Sequence, residues 1–187
     1  MHWGLVLLIA VEVPLGFWMV NLLDASLGAA AGSALVNPLV DSWVVRTASA
    51  HHTIGFLVLA LALLRINWRL NHPTPALPPN TAIHERYLAR ATQGFLYFLM
   101  FFYPLTGWAI LSTAPDGPTI HFFAWEIPRL VSTRSAGTEF ASNLFTTLHQ
   151  LCWKVGGALL LLHVCGALWH QFVRRDNLLT RMWKGDN

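Results

Sequence analysis

The sequence predicts an all-α protein, a transmembrane four-helix bundle, from three observations. The chain has 187 residues, of which 55% are hydrophobic and only 11% charged. A soluble domain carries about 25% charged residues, so this one lacks the polar surface to face water on all sides. Its mean hydropathy is +0.47. Four apolar stretches reach the roughly 20 residues that a hydrocarbon core demands.

Those stretches run from Trp3 to Leu23, Ala48 to Trp68, Ala91 to Ser112 and Phe145 to Val173. They make residues 1–187 a single transmembrane domain. The first is no cleavable signal peptide: it has no basic start, is too long, and is interrupted by Glu12 and Pro14. Pro14 predicts a kink, and Glu12 is a carboxylate facing the bundle, hydrogen-bonded or handling protons.

Four spans place both termini on one side. Arg65, Arg69, Arg86, Arg90, Arg174, Arg175, Arg181 and Lys184 lie there, against Arg46, Arg129 and Arg134 opposite. Eight cations against three make the termini cytoplasmic by the positive-inside bias. The net charge of +3 is thus a topology signal and not a nucleic-acid footprint. Nine tryptophans, several at span ends such as Trp3, Trp18, Trp68 and Trp169, suit an aromatic belt at the lipid interfaces.

The fourth span carries the chemistry. His149 and His163 stand 14 residues apart on one apolar helix. At 1.5 Å and 100° per residue they are about 21 Å apart along the axis and within about 40° of the same face. Gly156 lies midway and bares the backbone between them. Polar residues within a span are costly and default to function. Two stacked axial ligands suit two haems at opposite membrane levels. Each needs a partner at its own level. His2 stands level with His163 near the inner side, and His51 level with His149 near the outer side. Gly55, four residues after His51, keeps that helix face open to a flat macrocycle. His52 points about 100° away and is an interface or packing residue. Iron with two histidine ligands has no open position, so such centres carry single electrons.

The remaining segments are plainer. Span two ends in RINWRLNHPTPALPPN, where Pro73, Pro75, Pro78 and Pro79 stop the helix. His72 and His84 flank that turn and read as solvated. Span three has Pro104 and Gly107 but no histidine, and shields the cofactors without ligating them. The outer segment after Ser112 holds a PDGP turn and then IHFFAWEIPRL, a short amphipathic stretch on the outer surface with His121 at the interface. Lys154, an unusual charge at its depth, is a candidate partner for a haem propionate or a quinone oxygen. Arg69, His170 and Arg174 stand at the level for similar contacts. Cys152 and Cys165 are about 20 Å apart on one helix and cannot bridge each other. No CxxCH motif is present, which excludes a covalent c-type haem.

Together, His2-Trp3, His51 with Gly55, HPTPALP, the Tyr97, Pro104, Gly107 pattern, His149 with His163 and RRDNLLTRM form a specific set. The chain resembles the bacterial cytochrome b561 family, four-helix di-haem cytochromes linked to quinone, over nearly its whole length outside the two outer loops. It departs from them where His2 directly follows Met1, and where Arg90 and Gln93 replace histidines that relatives often carry. The resemblance implies two b-type haems, ligated by His2 and His163 on the inner side and by His51 and His149 on the outer. It also implies ubiquinone as electron partner and a bilayer as surroundings. One family member oxidises superoxide, which makes superoxide one candidate donor. The expected function is electron transfer between an outer-face donor and the quinone pool. The rival expectation is a non-catalytic membrane anchor and electron conduit for a partner dehydrogenase or periplasmic redox protein.

Overall fold

The computed structural model describes residues 1–32, 38–72, 82–114, 120–130 and 138–184. Four long helices form the molecule: α1 (His2–Gly32), α2 (Pro38–Asn71), α3 (Ile83–Thr113) and α4 (Thr138–Leu168). Each is long and apolar enough to cross a membrane, over His2–Leu27, Ser42–Asn71, Ile83–Thr113 and Glu139–Val173. The first three helices outrun the expected spans at both ends and α4 at its start, because the helical ladder continues beyond the most apolar run. α1 continues through Pro14 and α3 through Pro104. The protein is an all-α four-helix bundle with multi-pass membrane spans.

Helix α1 packs on α2, α2 on α3, and α3 on α4. The bundle centre is sparsely filled. No more than 17% of the most apolar stretch of any span is buried. The buried apolar residues, Leu5, Val58, Ala62, Leu99, Ala109 and Ile120, are scattered over the length of the molecule. Such a bundle faces lipid outside and keeps internal space between its helices.

The two ends are finished differently. At the end holding the N-terminus, α4 passes into a π-helical turn (Trp169–Val173) and then a short α5 (Leu178–Lys184). Glu85 closes the start of α3 by accepting the Ala82 N–H at 3.2 Å, and its two oxygens also take Arg174 Nη1 at 2.7 and 2.9 Å. At the other end, IHFFAWEI forms a hairpin of β1 (Ile120–Phe122) and β2 (Trp125–Ile127), not a simple amphipathic segment on the surface. Ile120 is buried, and Phe122 meets Phe56 of α2. Trp108 Nε1 donates to the Pro128 carbonyl, and Leu130 N–H donates to Ser112 Oγ, so α3 anchors the hairpin. Phe123 turns the hairpin with φ of 54°, a left-handed value that side chains rarely adopt.

Arg134, Pro73, Pro75, Pro78, Pro79 and the PDGP turn lie outside the described residues, as do the side chains of Arg181 and Lys184.

Candidate functional site: two histidine pairs across the bundle

Helix packing brings the four sequence-predicted histidines into two pairs. The ring centroids of His51 and His149 are 6.4 Å apart, with planes at 81°. Those of His2 and His163 are also 6.4 Å apart, at 76°. No helix contributes both members of a pair. Two metal–imidazole bonds of about 2 Å each, with half a ring beyond either, span roughly this separation. Each pair therefore leaves room for one metal ion ligated from both sides. Among the described residues, no cluster of three or more His, Cys, Asp or Glu could hold a bare ion. A pair of imidazoles suits instead a metal whose remaining donors come from a macrocycle.

The outer pair borders a cavity of about 150 Å³ with almost wholly apolar walls. Every long helix contributes: Glu12 from α1, Gly55 from α2, Tyr103 and Gly107 from α3, and Gly156 from α4 are among the lining residues. His52 also lines it, which makes it a wall of the site and not an interface residue. Cys152 lines it too, and both cysteines are unpaired.

Both outer rings have a polar group close behind them. His51 Nδ1 lies 2.9 Å from Glu12 Oε1, so the carboxylate within the first span is a close neighbour of a candidate ligand. The contact is close but out of line for a hydrogen bond, and Glu12 Oε2 is buried without a hydrogen-bond partner among the described residues. His149 Nδ1 lies 2.9 Å from Thr106 Oγ1, and Tyr103 stacks on the His149 ring at 4.0 Å and 12°. Span three therefore does more than shield. Sequence reasoning missed Thr106 and Tyr103, whose spacing to Gly107 on α3 was the only signal.

Glycines make these approaches possible. A Cβ on Gly16 would stand 3.2 Å from His51 Cε1, and one on Gly107 3.3 Å from His149 Cε1. Each ring thus rests on bare backbone of a neighbouring helix. Gly55 and Gly156, expected to lie open to a macrocycle, line the cavity while facing the Glu12 carboxylate and Leu99 at 3.5 and 3.3 Å.

The inner pair is built from other materials. His2 lies within the first turn of α1, its ring edge on Trp3 at 5.7 Å, and Trp3 meets Trp183 of α5 at 5.4 Å. Arg65 is within coulombic reach of both rings and donates from Nε to the Tyr97 hydroxyl at 2.9 Å. Arg69 lies over the Tyr97 ring at 5.3 Å. The other two residues at this level are engaged internally: His170 with Asp176 at 2.6 Å and Arg174 with Glu85. Lys154 is exposed on the outside of α4, turned away from the cavity that Cys152 and Trp153 line. His72 stacks on Trp68 at 3.6 Å, and His84 and His121 are exposed, in keeping with surface roles.

The donor set suits haem. Paired imidazoles face one another at two levels of an apolar bundle, and a hydroxyl and a carboxylate stand close to the outer two.

Comparison with known proteins agrees. The model of the prokaryotic cytochrome b561 family matches residues 1–185. The chain is 30% identical over 182 residues to cytochrome b561 homolog 2 of Escherichia coli, covering 97% of this chain and 86% of that protein. It is 30% identical over 132 residues to the probable superoxide oxidase CybB of Yersinia pestis, covering 71% and 72% respectively. Cytochrome b561 homolog 1 of Escherichia coli shares 24% over 132 residues, covering 71% of this chain and 72% of that one. The chain belongs to the prokaryotic cytochrome b561 family of b-type haem, membrane electron-transfer proteins.

Proposed function

We propose that residues 1–187 form one transmembrane cytochrome domain that carries two b-type haems and moves electrons from an outer-face donor, superoxide, to the ubiquinone pool. His51 and His149 ligate the outer iron, and His2 and His163 the inner. The observation that carries this function is the twin spacing: two imidazole pairs, each with centroids 6.4 Å apart, one towards either membrane face. Haem bound at each pair supplies a one-electron couple.

The chain's own residues do the rest. Four helices line the outer cavity with almost wholly apolar walls. The four histidines would hold one haem per pair, and a haem iron held by two histidines would offer no open site to oxygen. Electrons entering at the outer pair have the inner pair about 20 Å away along α4. Each superoxide gives up one electron and becomes dioxygen, and two such electrons with two protons reduce one quinone to quinol. The excess of cations at one end supports cytoplasmic termini, and membership of the prokaryotic family supports the bacterial inner membrane as its location. The name of the Yersinia pestis relative supports superoxide as donor.

The test is a pyridine haemochrome assay with redox-difference spectra on the purified wild type and His163→Ala. Two b haems per chain, falling to one in the variant, are expected. No haem in the wild type would overturn the cytochrome function. Stopped-flow mixing of the oxidised protein with superoxide then separates the donors. Rapid reduction supports a superoxide oxidase. Its absence, with intact haems, makes the chain an electron conduit for a partner protein.

A further inference from the structure

The partner behind His149 defines which ring nitrogen carries the proton. Thr106 Oγ1 lies 2.7 Å from the Tyr103 carbonyl oxygen. A carbonyl only accepts, so the one hydroxyl proton of Thr106 is committed to it. The same Oγ1 lies 2.9 Å from His149 Nδ1. With its proton engaged, Oγ1 can only accept there, and Nδ1 must carry the hydrogen. In a neutral imidazole the lone pair then resides on Nε2, the atom a metal requires. His51 Nδ1 lies 2.9 Å from Glu12 Oε1, out of line for a hydrogen bond, so Glu12 acts on that ring as a neighbouring carboxylate and not as a hydrogen-bond acceptor.

The inner pair has no such support. Among the described residues, neither His2 nor His163 has a hydrogen-bond or ion-pair partner, and His2 is located by the edge of Trp3. The outer pair therefore has a hydroxyl acceptor behind His149 and a carboxylate close beside His51, in a cavity with few other polar atoms.

We propose that Thr106 is a positioning residue that holds His149 in the Nδ1–H form and aims its Nε2 into the site, and that the Glu12 carboxylate beside His51 sets the potential of the outer centre alone. This rests on the ligand roles proposed above. Hydrogen bonding at the far nitrogen of a ligating histidine raises its basicity and fixes its orientation. A carboxylate 2.9 Å from the His51 ring favours the oxidised, more positive iron, so Glu12 lowers the outer midpoint potential. The Thr106 hydroxyl does less to the potential and more to the orientation of the His149 ring.

The experiment compares holoprotein purified from membranes as wild type, Thr106→Val, Thr106→Ser, Glu12→Gln and His149→Ala. Haem per chain, midpoint potentials by redox titration and low-temperature EPR of the ferric centres are measured. Thr106→Val is expected to weaken outer haem retention about tenfold, as loss of such a partner typically does, and to shift the EPR signal of that centre. Thr106→Ser restores both. Glu12→Gln keeps two haems, because the amide has the shape of the carboxylate, but raises the outer midpoint while the inner one stays. Wild-type midpoints and EPR spectra in Thr106→Val and Glu12→Gln, with one haem lost in His149→Ala, would overturn this inference alone. Two haems retained in His149→Ala would overturn the ligand assignment beneath it. Should Thr106→Val fail to accumulate, the outer midpoint of Glu12→Gln decides.

Discussion

The imidazole of His51 rests on the backbone of Gly16: a Cβ built there would stand 3.2 Å from His51 Cε1 and 3.4 Å from Nδ1. Gly107 offers His149 the same bare surface at 3.3 Å. Neither position requires glycine for its own helix, where glycine costs about 1 kcal/mol relative to alanine. The approach of the rings accounts for both residues.

Gly16→Ala and Gly107→Ala are accordingly expected to keep the helical fold, by circular dichroism, while reducing outer haem content. The methyl group forces the ring to move by a few tenths of an ångström, in a site whose ligand atoms tolerate little displacement. Inner haem content should not change. Full loading of both centres in either variant would show that the ring has room to give.

Trp183 of α5 lies against Trp3, which in turn meets His2. An edge-to-face aromatic pair contributes about 0.5–1.5 kcal/mol beyond its area. Trp183→Ala should therefore release the inner haem at lower temperature than wild type in a spectroscopic melt, with the outer haem unaffected. Equal melting of the inner centre would mean that α5 does not brace the first turn of α1.

Glu85 and Arg174, 89 residues apart, join the start of α3 to the end of α4. Their side chains are 30% and 32% exposed, so solvent screens the pair. Glu85→Gln should cost about 0.5–1 kcal/mol from the ion pair, with a further contribution from the Ala82 N–H it also accepts. Thermal unfolding in detergent is the measurement, and the difference should shrink in high salt. Insensitivity to salt would assign the effect to the cap at Ala82.

Lys154 faces outward from α4. Lys154→Met is expected to leave the haem spectrum, both midpoints and quinone kinetics at wild-type values. A shifted midpoint would return the ammonium to the cofactor. A lysine stem of this length reaches towards headgroups from such a position.

Superoxide is an anion, and Arg46 and Arg129 are described cations at the outer end. Raising ionic strength from about 0.01 to 0.15 M shortens the Debye length from roughly 30 to 8 Å. The second-order rate with superoxide should fall across that range and fall further in Arg46→Gln. A flat salt profile would mean that Glu126 and Glu139 cancel the attraction.

The bundle and the levels of its four histidines were legible in the chain because they follow from local rules. Apolar run length defines the spans, and 3.6 residues per turn puts His149 and His163 on one face. Level-matching from the span ends then pointed to His51 and His2 as partners, and the structure brings each to 6.4 Å from its mate. Other features depended on the packing of one helix against another. Thr106 meets His149 across 43 residues of sequence, and Glu12 meets His51 across the α1–α2 contact. No periodicity within a single helix encodes which residue of its neighbour lies opposite. That register is decided by how the ridges and grooves of two helices interlock, which here places glycines beneath the rings. The hairpin at Ile120–Ile127 escaped for a related reason, since two strands of three residues each are held by Phe56, Trp108 and Ser112 of helices distant in the chain. Sequence alone thus determined the spans and the heights of the histidines. Tertiary structure alone decided what stands behind each imidazole, because a second layer of contacts exists only once the helices have packed.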